Sequence, residues 1–405
     1  MAANCRRHAF ARHTLHLAVI TATTAATAFG SLAQAEIPST PNRPQLSAAE
    51  AKNHTPLKYL AQGGTLGALV TDNWNPTAGV GSVSSKKPFA TIAADGSGTH
   101  ATVQEAVNAA VLQGGTTRLY LRVKPGTYRE VVCIPAAAPP ITLYSTDSNA
   151  AKTVIVYNNA NPTPKPVGSS ANPCNANLSG ATFGTSGSAT FAVNAGHFQA
   201  KNLTFANDYV EGTYGTTSQQ GVALMLNGDR NEFENVRVLG HQDTLYVKSA
   251  NINTVARSYF KHSYVEGDVD FIFGRGTAVF ESTRIRHLGN RQVSGIGLAP
   301  STDPRNQYGF LFVTSTFDTD TLTTPNGSYL GRAWDEGVAS LAVYNNGVSP
   351  NGQLVIRESN IGKHVRVAEP WGPSTARRPY SSVEGPYSAN RFFEFNNTGL
   401  GSGAQ

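Results

Sequence analysis

A six-residue unit, apolar at its first and last positions, recurs along the chain: AKNLTF from Ala200, FENVRV from Phe233, FKHSYV from Phe260, FESTRI from Phe280, FVTSTF from Phe312 and IRESNI from Ile356. Successive starts lie 33, 27, 20, 32 and 44 residues apart. A floor of about twenty residues, exceeded where loops bulge out, is what a solenoid requires when each coil lies over the last. The runs upstream (RLYLRV, VVCIP, ITLYS, TVIVY, TFAVNA) are short, rich in β-formers and broken by Asn, Gly, Pro and Asp, with no helical period between them. The pattern predicts an all-β chain wound as a single-stranded parallel β-helix. An antiparallel sandwich with a chance repeat is the alternative, but the two-residue hairpin turns it would need are scarce.

Such a stack has an open end that must be covered against edge pairing. The stretch THATVQEAVNAAVLQGG supplies a cover: Thr102 and Glu105 form a capping box, Val103, Ala106, Val107 and Ala110 make one apolar face, and Gly114-Gly115 ends the helix. Residues 1–35 read as a secretory signal, with Arg6, Arg7 and Arg12, a stretch of small and apolar residues, and an A-x-A site at Ala33-Gln34-Ala35. Residues 36–86 read as a weakly structured extension, broken by Pro38, Pro41, Pro44 and Gly63-Gly64, with a second capping box at Ser47–Glu50. The β-helix domain is expected over 87–398 and a flexible tail over 399–405.

Three of the 32 basic residues lie in the leader, leaving 29 against 26 acidic ones. That small excess suits an acidic polysaccharide. Nucleic acid is disfavoured, since no Lys/Arg-rich block is present, and no later run approaches the ~20 apolar residues of a membrane span. Once Cys5 leaves with the leader, Cys133 and Cys174 remain. An exported chain sits in an oxidising compartment where they can pair, but sequence leaves open whether they are close enough. No Cys/His spacing resembles a metal site.

The G-x-S-x-G and H-E-x-x-H motifs are absent, which leaves carboxylate chemistry. Asp243 in HQDTLY and Asp270 in VDFIFG each sit in a run of β-formers, and their separation of 27 is one coil of the solenoid. Brought together, two carboxylates do not both ionise cheaply, so one keeps a proton while the other stays charged. Read singly, Asp270 is a buried acid hydrogen-bonded to backbone and Asp243 a turn residue before a strand. A third stretch, SYLGRAW, changes the balance: Arg332 can pair with one carboxylate and hold it ionised, and Trp334 offers a flat face for a sugar ring.

QDTLYV, GDVDFIFG and LGRAW resemble the signature stretches of pectin methylesterases, carbohydrate esterases with a right-handed parallel β-helix. DGSGTHATVQEAV, GTYRE (Gly126–Glu130), GTSGSATF from Gly184, QGVAL from Gln220 and NRFFEF extend the resemblance over roughly Pro88 to Phe395, in the family's order. It implies hydrolysis of methyl esters of galacturonate in pectin without metal or cofactor; the leader directs the chain to the periplasm or outside the cell, where a monomer is expected. Asp270 would be the nucleophile and Asp243 the general acid, then base. Gln220 and Gln242 would donate to the oxyanion, and Arg332 would orient Asp270. Tyr246, Phe273, Trp334, Met225 and Thr185 match positions along the sugar groove. The chain departs from the family at Ala333, Gly221 and Met225, and in an insertion near Ala250–Val255 that puts subsite geometry in question. Some relatives of this branch lack QDT and are suspected of cleaving other esters or thioesters. The remaining rivals are a calcium-dependent polysaccharide lyase and a non-catalytic sugar-binding β-helix.

Overall fold

A computed structural model describes residues 37–169, Cys174 and residues 179–403. The expected leader, 1–35, lies outside the described residues. Three parallel sheets run the length of the stack. The ten-stranded sheet extends from Ala90–Ile92 to Arg391–Phe395, the eight-stranded sheet from Gly126–Arg129 to Asn360–Ile361, and the seven-stranded sheet from Val132–Ile134 to Tyr329–Gly331. Successive coils contribute one strand to each sheet, so the chain is the expected parallel β-helix.

The repeated unit is the corner between the ten- and eight-stranded sheets. Its first residues are stacked in register, Ala200 on Phe233, then Phe260, Phe280, Phe312 and Ile356. The phenylalanine rings lie face to face, with centroids 4.6, 4.8 and 4.6 Å apart from Phe233 to Phe312. The third residue of each unit (Asn202, Asn235, His262, Ser282, Thr314 and Glu358) has φ between 47° and 59°. A single left-handed residue turns the strand sharply enough to enter the next sheet, at a backbone cost that any side chain without β-branching crowding, and here even Thr314, bears when the ladders on both sides fix it. The fourth position faces inward, and from Ser263 onward it carries polar groups that serve the neighbouring coil: Ser263 Oγ accepts from Val236 N, Ser315 Oγ from Thr283 N, Ser359 Oγ from Ser315 N.

Both ends of the stack are covered. The helix Val103–Gln113 buries Val103, Ala106, Val107 and Ala110 against the first coil. Glu130, the last residue of GTYRE, caps it from the next turn by accepting from Val103 N at 2.7 Å and Gln104 N at 2.9 Å. At the other end the structure corrects the sequence reading. Residues 43–46, expected to be a weakly structured extension, close the last rung: Leu46 N donates to Glu394 O and Glu394 N to Pro44 O, while Arg43 forms a buried two-bond pair with Glu394. Backbone pairing at an open edge needs no side-chain signature, so the prolines concealed it. The capping box at Ser47–Glu50 opens the first of two short helices, Ala48–Ala51 and Pro56–Ala61, and Tyr59 and Leu60 are buried on the stack. The hairpin Gln62–Thr65/Ala68–Thr71 takes Thr254–Val255 as its third strand, and the buried Arg257 binds Asp72 and Asp229 beside it. Residues 399–403, expected as tail, also pack: Gly401 N donates to Ile361 O, and Gly401 and Ser402 are buried.

Cys133 and Cys174 form a disulfide with Cα atoms 5.3 Å apart, tying the long connection after Tyr157 to the seven-stranded sheet. Among the described residues, no helix is long and apolar enough to cross a membrane.

Candidate active site

On the outer face of the seven-stranded sheet, Met225, Tyr246, Phe273 and Ala299 stack in register on successive coils. Their alternate neighbours, Leu224, Leu245, Ile272 and Leu298, point into the core. The outward set packs with Trp334 as a separate apolar cluster. The rings of Tyr246 and Phe273 are stacked at 4.2 Å, and Trp334 is 5.9 and 5.5 Å from them. Above this floor is a cleft of ≈ 380 Å³.

Three residues before Tyr246 and Phe273 come Asp243 and Asp270. The 27-residue register of their strands therefore places them on adjacent coils, about 4.8 Å apart along the stack. Asp243 N donates to Val269 O at 3.1 Å, joining the two segments directly. Both aspartates have left-handed backbones, φ 64° and 47°, and both are only 8% exposed. Sequence reasoning missed this strain, which aims both carboxylates into the cleft instead of along the regular alternation. Arg332 holds Asp270 with two hydrogen bonds, Nε to Oδ1 at 3.0 Å and Nη2 to Oδ2 at 2.6 Å. Burial, then the neighbouring Asp270 charge, pushes the Asp243 carboxyl well above the usual range, and Arg332 offsets only part of that. The pair is thus asymmetric: one carboxylate clamped by a guanidinium, the other favouring its proton.

Gln220, Gln242, Arg332, Trp334, Tyr246, Phe273 and Thr185 all line the cleft with the two aspartates. Met225 does not. It lies beside Tyr246 on the preceding coil, 2% exposed, and belongs to the floor's packing. The insertion 250–255 joins the N-terminal hairpin and contributes no cleft lining. Gly221 is explained by Asn207, whose Oδ1 would lie 3.1 Å from an added Cβ. Glu336 and Thr375 also line the cleft and were not singled out from sequence; neither lies in a recurring motif. His197 and His262 are exposed, whereas His287 is buried against His364 in the core. Among the described residues no cluster of His, Cys, Asp or Glu is arranged to hold a metal ion.

Residues 89–355 match the family model for Pectinesterase. A pectinesterase of Ralstonia solanacearum is 53% identical over 369 residues, covering 90% of this chain and 93% of that protein. The chain belongs to the pectinesterase family. Its members are carboxylic ester hydrolases, and so is this chain. Solved structures agree in fold. The structure of rice weevil pectin methyl esterase matches with a TM-score of 0.75 at 34% identity, over 91% of this chain and 100% of that one. The crystal structure of Escherichia coli ybhc matches with a TM-score of 0.77 at 30% identity, over 92% and 100% of the two chains.

Proposed function

We propose that this pectinesterase cleaves methyl esters of galacturonate in pectin through a covalent intermediate on Asp270. The observation that carries the reading is the asymmetric carboxylate pair: Asp270 clamped by Arg332, Asp243 pushed toward its protonated form, both facing one cleft. An Oδ of Asp270 attacks the ester carbonyl carbon, and the carbonyl π electrons move onto oxygen. The side-chain amides of Gln220 and Gln242 line the same cleft and donate to that oxyanion. Collapse breaks the bond to the methoxy oxygen, which takes the Asp243 proton and leaves as methanol. Asp243, now a carboxylate, accepts a proton from water as its oxygen attacks the acyl carbon. The product acid departs as the bond to Asp270 breaks, Asp270 regains its charge, and Asp243, carrying the proton taken from water, is ready for the next cycle. Tyr246, Phe273 and Trp334 give the sugar rings apolar faces along the floor.

Export fits the leader-like first 35 residues and the Cys133–Cys174 disulfide. Mass spectrometry of the protein collected outside the cytoplasm should give a mature chain starting at Glu36.

The substrate reading is tested by methanol release from highly methylated pectin, run in parallel with hydrolysis of an acyl thioester. Methanol release with an inert thioester supports it. Thioester cleavage without methanol release overturns it.

A further inference from the structure

Asn161, shortly after the strand that ends at Tyr157, touches two cleft residues at once with its side chain. Asn161 Nδ2 donates to Gln220 Oε1 at 3.0 Å and to Thr185 Oγ1 at 3.1 Å. Its backbone is fixed on both sides: Asn161 N donates to Gln220 O at 2.8 Å, and Gly184 N donates to Asn161 O at 3.0 Å. Nearby, Phe183 N donates to Thr163 O and Ala160 N to Thr163 Oγ1, which holds the turn itself in shape. The side chain therefore approaches Gln220 in a set direction.

A primary amide has a donor end and an acceptor end, and whichever end one partner engages fixes what the other presents. With the Gln220 carbonyl oxygen engaged by Asn161, its NH2 group is the end turned to the cleft. In the reverse arrangement Gln220 would present its carbonyl oxygen to a developing oxyanion, and the two oxygens would repel. We infer that Asn161 is a positioning residue for ester hydrolysis: it selects the orientation in which Gln220 donates to the oxyanion. The inference rests on the role proposed above for Gln220. It accounts for a polar side chain spanning Gln220 and Thr185 where an apolar one would fill the same space.

The decisive variant is Asn161→Asp, nearly isosteric but able only to accept when ionised, so it draws the Gln220 NH2 group away from the cleft. The full-length enzyme is assayed for methanol release from methylated pectin as Asn161→Asp, Gln220→Ala and the double variant, with a melting curve for each. Expected is a kcat loss of about a hundredfold or more for Asn161→Asp, with KM and Tm nearly unchanged, this being the size of effect seen when an oxyanion donor is removed. In the Gln220→Ala background the same change should cost less than about threefold, because nothing remains to be turned. An equal loss in both backgrounds, or an unchanged kcat for Asn161→Asp, overturns the inference. If Gln220→Ala itself leaves kcat intact, the oxyanion reading of Gln220 fails first and the inference falls with it. If Asn161→Asp does not fold, Asn161→Ala reads the same coupling: freed to turn either way, Gln220 should lose several-fold in kcat, again only when Gln220 is present.

Discussion

Reducing the Cys133–Cys174 disulfide should destabilise the protein while leaving its chemistry almost intact. The bridge closes a loop across a sequence separation of 41 residues. Constraining a loop of that length in the unfolded chain is worth about 4 kcal/mol in the chain-entropy account. With an unfolding entropy of roughly 0.8 kcal/mol/K for a chain of this size, that corresponds to a fall in Tm of about 5 °C. The catalytic side chains do not depend on the bridge. Asp243, Asp270 and Arg332 sit on the stacked coils, and the turn at Asn161 keeps its own hydrogen bonds to Gln220, Gly184 and Phe183. The assay is a thermal melt followed by circular dichroism, with and without reductant and for the Cys133→Ala/Cys174→Ala variant, beside kcat at 25 °C. A lower Tm with a nearly unchanged kcat is expected. An unchanged Tm would refute the loop-closure argument, and a collapse of kcat at 25 °C would refute the claim that the coils alone hold the site.

Asp243→Asn should abolish methanol release yet raise Tm at neutral pH. A carboxyl whose folded pKa is raised weakens the fold as pH climbs through that pKa, so the gain should vanish below the unfolded value of about 3.9. Phe280→Ala, in the middle of the ring ladder and on a different sheet from the cleft, should cost about 3–5 kcal/mol in urea unfolding and leave KM unchanged. His287 and His364, whose rings are 5.7 Å apart, are both pushed down to about 4 by burial. Their depressed folded values mean that the unfolded chain takes up protons first as pH falls from about 6.5. Stability should therefore decline between pH 6.5 and 4, and less steeply in a His287→Gln/His364→Gln variant; equal slopes would contradict this.

The coil repeat was legible because inward apolar residues at both ends of each unit mark one corner, and 27 residues between Asp243 and Asp270 equals one coil. The left-handed turns were not. Asn202, His262, Thr314 and Glu358 share no chemistry, and the ladders on each side impose the conformation on whatever residue lies between them. The packed N-terminal segment was hidden for a different reason: Pro44 and Leu46 join Glu394 through backbone groups, about 350 residues away in sequence. In the cleft, the motif-borne residues could be named in advance. Asn161 could not, since it lies in no recurrent stretch and its role depends on a hydrogen bond to Gln220, 59 residues away. Met225 was misplaced because a family position beside the groove does not reveal that here its side chain is packed into the outer ladder beside Tyr246, away from the cleft lining.

The central claim is that Asp270 makes the covalent bond and Asp243 moves the proton. The most direct test follows methanol release from a methylated oligogalacturonate by the parent, Asp270→Asn and Asp243→Asn proteins, with binding of the same oligosaccharide measured by calorimetry. The account predicts that both variants bind the oligosaccharide about as well as the parent and release methanol at least about a thousandfold more slowly. Methanol release by Asp270→Asn at a rate near that of the parent would contradict it.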